Sequence, residues 1–157
     1  MTLNIKRRIF LKTSLAVGLT GGAAAFALLT PRAVLATWDE KAFDSRSVSD
    51  ALQNGLGSSA IAISDDILIK APDIAANGAI VQVTVEAKLP DVESITLLAE
   101  KNPRPLCGIF HPGPGVRPKM AIRIKMGQSS DVIAVAKSGG KLYMARRSVK
   151  VSAGGCS

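Results

Sequence analysis

Histidine is nearly missing from this chain: His111 is the only one in 157 residues. That count excludes a mononuclear blue-copper site, which takes two imidazoles together with a cysteine. Cysteine is scarce as well, with Cys107 and Cys156 alone. Two cysteines and one histidine cannot close a four-ligand structural zinc site, and two cysteines cannot staple a disulfide-rich fold. Aromatic residues make up 4% of the chain, with one Trp and one Tyr. A nucleic-acid-binding surface interleaves a basic stripe with stacking rings, so this shortage argues against one despite the formal charge of +8. No internal repeat is present, and low complexity is confined to the two ends.

Much of the positive charge lies in an address. Lys6-Arg7-Arg8-Ile9-Phe10-Leu11-Lys12 pairs two arginines ahead of an apolar residue, an aromatic and a leucine, as twin-arginine export signals do. A moderately apolar run from Ser14 to Leu29 follows, diluted by Gly18, Gly21 and Gly22. Val34-Leu35-Ala36 then supplies the small-residue pattern of a signal-peptidase site. A retained membrane anchor is the competing reading, because ~17–25 apolar residues can span a bilayer; the glycines and the processing site favour cleavage after Ala36. Residues 1–36 are therefore expected to be a twin-arginine signal peptide, with the mature protein in a bacterial periplasm. Removing their five bases, which stand among no acids, takes the net charge from +8 to +3.

The remaining 121 residues suit one domain. Asp39 to Leu56 carries Phe43, Val48, Ala51, Leu52 and Leu56 at loosely helical spacing, and Gly55 or Gly57 can end that helix. The period then changes to two. Ile61 and Ile63, Ile67 and Ile69, Val81 to Ala87, Met120 to Met126, and Val149 and Val151 alternate with small or polar residues. Such alternation marks strands with one buried and one wet face. Asn77-Gly78, Leu89-Pro90-Asp91 and Ser138-Gly139-Gly140 supply turns, the last between two strands of a hairpin. With Ile95–Leu98, Ile133 and Tyr143–Val151 included, about seven strands predict an all-β fold, an immunoglobulin-like β-sandwich over 37–151 with a short N-terminal helix. An open barrel is the alternative.

Asn102-Pro103-Arg104-Pro105-Leu106-Cys107-Gly108-Ile109-Phe110-His111-Pro112-Gly113-Pro114-Gly115 is too rich in proline for a central strand, which makes it a surface excursion or an edge. Cys107 and His111 could be read as a nucleophile and its base, but no orienting acid or oxyanion hole accompanies them. The plainer reading of Cys107 is a small, partly buried apolar residue, and of His111 a loop residue.

The last six residues, Ser152-Ala153-Gly154-Gly155-Cys156-Ser157, are set apart from the alternating pattern. Gly154 and Gly155 make a supple tether, so residues 152–157 are expected to form a flexible arm with the Cys156 thiol near its tip. A frayed terminus with an incidental cysteine, a Cys107–Cys156 disulfide and an intermolecular disulfide through Cys156 are competing readings, all open to an exported protein.

Taken together, the Arg7-Arg8 signal, Pro72 with Ala75-Ala76-Asn77-Gly78 and the valine strand after it, Asn102-Pro103-Arg104-Pro105-Leu106, Leu142-Tyr143 and the terminal Gly154-Gly155-Cys156 resemble the SoxY family, the sulfur carriers of the Sox thiosulfate-oxidation system. The resemblance implies an immunoglobulin-like sandwich and a heterodimer with a SoxZ-like subunit. It implies a covalent sulfur attachment site at Cys156, with Gly154 and Gly155 giving the arm its freedom, and no catalysis, metal or cofactor of the chain's own. Partners would be a SoxAX-type cytochrome, a manganese-dependent SoxB-type hydrolase and, where present, a SoxCD-type dehydrogenase. The exposed faces of the Val81–Ala87 and Met120–Met126 strands are candidates for subunit contact. The chain departs from the family's usual Gly-Gly-Cys-Gly-Gly ending, because Cys156 is followed by Ser157 and the terminal carboxylate, whose charge disfavours the thiolate. Cys107 takes no role from the resemblance. Readings from other classes are a secreted structural β-domain and a thiol-redox protein with Cys156 in a disulfide.

Overall fold

The computed structural model describes residues 39–58 and 60–152. The signal segment 1–36 and the arm residues Gly154, Gly155 and Cys156 lie outside them. Two short helices come first, α1 (Glu40–Asp44) and α2 (Val48–Leu56), where the sequence pattern predicts one. The break is a capping event. Ser45 Oγ donates to the Lys41 carbonyl, and Ser47 caps the second helix by accepting from Asp50 N at 3.0 Å. Gly57 ends α2 in the left-handed region.

Nine strands follow: β1 (Ile61–Ile63), β2 (Ile67–Lys70), β3 (Ile74–Ala75), β4 (Val81–Ala87), β5 (Val92–Ala99), β6 (Leu106–Phe110), β7 (Lys119–Ile124), β8 (Ser130–Ser138) and β9 (Lys141–Val151). They form two sheets, which decides for the sandwich over the barrel. The larger has the order β1-β9-β8-β5-β6, with β3 also on β9; the smaller is β2-β4-β7. β6 and β3 are the strands that alternation does not reveal. β6 lies within the proline-rich stretch, which therefore supplies an edge strand rather than only a loop. Gly139 and Gly140, both at positive φ, turn the β8–β9 hairpin.

The inner face of the small sheet contributes Val81, Val83, Val85, Met120 and Ile124. The large sheet meets them with Ile95, Leu97, Val132, Ala134 and Val149. β4 keeps the expected wet face, with Gln82 exposed and Thr84 and Glu86 half-buried. β5 and β8 do not, because the large sheet is covered twice. On its second face Leu98, Leu106, Ile133, Val135 and Leu142 pack against Ala42, Ala51 and Leu52 of the helices. Ile95-Thr96-Leu97-Leu98-Ala99 and Val132-Ile133-Ala134-Val135-Ala136 are accordingly unbroken buried runs. Among the described residues no helix is long and apolar enough to cross a membrane.

One end of the sandwich is where β9 ends. β9 runs toward it from the Gly139–Gly140 turn, and the segments 71–80, 100–105 and 125–129 gather there.

Candidate functional site: the end of the last described strand

The end of β9 is clamped on both sides. On one side Lys150 N donates to the Asp73 carbonyl (2.9 Å) and Ser152 N to the Ala75 carbonyl (3.0 Å), so β3 escorts the strand to its last described residue. On the other, Ser129 Oγ accepts from Val151 N at 2.9 Å. Arg147 ties the returning segment to β9 by donating to the Ala71 carbonyl and to Asp73 Oδ1, the latter at 2.8 Å.

Two of the sequence motifs converge under this clamp. Asn77-Gly78 provides a turn, with Ala79 N donating to Asn77 Oδ1, and brings backbone against backbone: Met126 N donates to the Gly78 carbonyl at 2.7 Å. A Cβ on Gly78 would meet the Met126 carbonyl oxygen at 2.3 Å and Val151 Cγ1 at 2.8 Å. Asn102, first residue of the Asn-Pro-Arg-Pro stretch, donates to the Lys125 carbonyl (2.7 Å) and accepts from Gly127 N (3.0 Å). Gln128 donates to the Lys101 carbonyl. Ser129, Asn102 and Arg147 are the positioning residues that sequence reasoning missed, since their partners lie some twenty or more residues away along the chain. Gly78 was legible as a turn but not as a point of closest approach.

Cys107 and His111 are kept apart. Both lie on or just after the extended strand β6, so four residues separate them by about 13 Å at ~3.3 Å per residue. His111 is exposed, with Nδ1 3.3 Å from the Glu93 carbonyl. Cys107 is a free thiol packed against the inter-sheet core, its Sγ donating to the Pro105 carbonyl at 3.5 Å. Burial pushes this thiol up from 9.0 to about 11, against the opposing pull of the Ala99 N–H. The fold thus favours the neutral thiol. Its contribution to stability is complete below about pH 9 and is lost as the pH rises from there toward 11. At pH 8 the native thiolate population is roughly a hundredfold below that of an unperturbed cysteine. In a Cys156→Ser chain, iodoacetamide should therefore label Cys107 about a hundredfold more slowly in buffer than in urea; equal rates would show the thiol to be open. Among the described residues no three His, Cys, Asp or Glu side chains converge as a metal ion requires.

The class that emerges is a two-sheet immunoglobulin-like sandwich, helix-covered on one face, whose final strand is braced up to the start of a glycine-bearing tail. The family model for sulfur oxidation protein SoxY matches residues 52–156, two thirds of the chain. The solved structure of the sulfur carrier protein SoxY from Chlorobium limicola f thiosulfatophilum is 39% identical. That match covers 73% of this chain and 100% of that one, with a TM-score of 0.63. The chain belongs to the SoxY family. A superoxide reductase (neelaredoxin) variant from Ignicoccus hospitalis shares the fold alone, at 21% identity over 59% of this chain and 94% of its own, with a TM-score of 0.52. Among curated proteins none matches.

Proposed function

We propose that this chain is a covalent carrier of sulfur intermediates in thiosulfate oxidation, with Cys156 as the attachment site and Gly154 and Gly155 as the joint of its arm. The observation that carries the reading is the match to a sulfur carrier SoxY along that protein's whole length, joined to a family match that runs through to Cys156. The chain works without catalysing a step itself, in the periplasm after export by the twin-arginine route and removal of residues 1–36.

Loading is an oxidation. The Cys156 S–H bond and thiosulfate's terminal sulfur give Cys–S–S–SO3⁻, releasing the thiol proton and passing two electrons to a SoxAX-type cytochrome. Water then cleaves the terminal S–S bond on a SoxB-type hydrolase, releasing sulfate and leaving a persulfide on Cys156. A SoxCD-type dehydrogenase, where present, oxidises that sulfur further. Five residues beyond Ser152 span up to ~17 Å, long enough for the thiol to enter a recessed active site while the sandwich stays outside. The body forms a heterodimer with a SoxZ-like subunit.

Intact mass of the C-terminal peptide, from protein isolated out of thiosulfate-oxidising cells, tests this directly. A reductant-sensitive mass increase confined to the peptide bearing Cys156 is expected. Unmodified peptide under turnover conditions would defeat the reading.

A further inference from the structure

Asparagine followed directly by glycine occurs twice in this chain, at Asn54-Gly55 and at Asn77-Gly78. The pair has a chemistry of its own. Glycine has no Cβ to shield its amide, so its backbone nitrogen can reach the preceding side-chain amide carbon and close a succinimide ring. Asn102 lacks that option, because Pro103 has no N–H to lose. Exposure does not separate the two Asn-Gly pairs: both asparagines are exposed and both glycines half-buried. Their bonding does.

Asn54 lies in the last turn of α2. There the helix ladder holds Gly55 N against the Ala51 carbonyl, back along the axis and away from the Asn54 side chain. The nitrogen that would have to leave is held as well, since Asn54 Nδ2 donates to Ser45 Oγ at 3.0 Å and to the Lys41 carbonyl at 3.4 Å. Ring closure at this pair requires the end of α2 to unwind.

Asn77 instead opens a turn. Its carbonyl accepts from Ile80 N at 3.3 Å, which puts Gly78 at the second position, where the N–H takes no part in the turn's own bond. Among the described residues Gly78 N and Asn77 Nδ2 have no partner. The held atom is Oδ1, which accepts from Ala79 N at 2.8 Å. That bond draws electron density off the amide carbon. It also sits where negative charge collects when a nucleophile adds there, as the donors of an oxyanion hole do. Nucleophile, electrophile, oxyanion donor and unencumbered leaving group thus lie within three successive residues.

We propose that Asn77 is a site of spontaneous backbone modification in the folded protein, and that Asn54 is not. Gly78 N attacks Asn77 Cγ, and Oδ1 takes the charge against Ala79 N. Nδ2 then leaves as ammonia, carrying the proton lost by Gly78, and the succinimide closes. Water opens the ring at either carbonyl, with no oxidant or reductant involved. One opening leaves an aspartate on the ordinary backbone. The other leaves an isoaspartate, whose main chain runs through the former side chain and is one carbon longer.

The two products differ in what they do to the end of β9. Aspartate keeps an oxygen for Ala79 N and adds a negative charge. Isoaspartate inserts its extra carbon just before Gly78, where there is no slack. The Gly78 carbonyl accepts from Met126 N at 2.7 Å, and its Cα approaches Met126 and Val151 so closely that even a Cβ does not fit. Displacing Gly78 therefore loosens the packing under Val151 and its bond to Ser129 Oγ.

The inference does not depend on the carrier reading, and peptide mapping tests it. The purified chain is incubated at mildly alkaline pH, in buffer and in urea, then digested in acid so that no new ring closes during handling. The peptides bearing Asn54 and Asn77 are followed by the mass gain of amide-to-acid conversion, and isoaspartate is separated from aspartate by retention. In urea the two sites should convert at similar rates. In buffer Asn77 should stay within about threefold of its urea rate, while Asn54 slows by more than about tenfold. Asn77→Gln, whose longer side chain closes the ring poorly, should remove the conversion at that peptide and leave the Asn54 peptide as before. The isoaspartyl fraction should exchange its Val151 amide about tenfold faster than the fresh chain, and freshly prepared Asn77→Asp should not. Asn77 protected in buffer as strongly as Asn54 overturns the site. Equal Val151 exchange in the isoaspartyl and fresh chains overturns its effect on the end of β9.

Discussion

Changing Cys156 to serine should abolish thiosulfate-dependent sulfate production, while changing Cys107 to serine should leave it close to wild type. The contrast follows from the attachment role proposed for Cys156 and the burial of Cys107. A hydroxyl can form neither the S–S bond of the loaded state nor the persulfide left after hydrolysis, so no partial activity is expected from Cys156→Ser. Cys107 is packed against the core, and its thiol is held up at about 11, leaving little thiolate to react. The measurement is sulfate released by the reconstituted system, with each variant first shown to pair with its partner subunit. Wild-type output from the Cys156→Ser chain would end the carrier assignment, and loss of output on changing Cys107 alone would move the site to β6.

The second large effect concerns stability. Gly78→Ala should lower the unfolding free energy by about 3 kcal/mol or more, since the added methyl meets a carbonyl oxygen at 2.3 Å and cannot swing aside. For a domain of this size that corresponds to a fall in melting temperature on the order of 10 °C. The damage should be local before it is global. Separating Gly78 from Met126 loosens the turn that Val151 packs on, so amide exchange near Ser129 and Val151 should accelerate first. Gly108→Ala is the control, because nothing lies within 4 Å of its added carbon. Equal melting temperatures for the two variants would show that the close approach at Gly78 carries no weight.

Much of this fold was legible because burial imprints a period. Val81, Val83 and Val85 mark a strand with one covered face, and two glycines after Ser138 mark the hairpin. The same signal, properly weighed, gives the third layer: Ile95–Ala99 and Val132–Ala136 do not alternate, which is what covering on both sides requires. β3 was not legible. Two residues have no period, and Ile74-Ala75 is a strand only because β9 lies beside it. β6 was obscured by the prolines before it, although Leu106 to Phe110 itself contains none. The single helix expected over Asp39–Leu56 divides because Ser45 and Ser47 can satisfy helix ends, a local choice that apolar spacing does not record. At the arm root, the glycines and Cys156 stand out in the sequence, but the clamp does not. Asn102 with Gly127, and Ser129 with Val151, are pairings made by the fold.

The direction of β9 has a mechanical consequence. Its nine pairings with β8 are antiparallel. A tug on its end along the strand axis loads the whole ladder in shear, with all the bonds sharing the force, instead of peeling them open one after another as a pull across the strand would. A load applied along the axis at the end of β9 is thus borne without unravelling the strand.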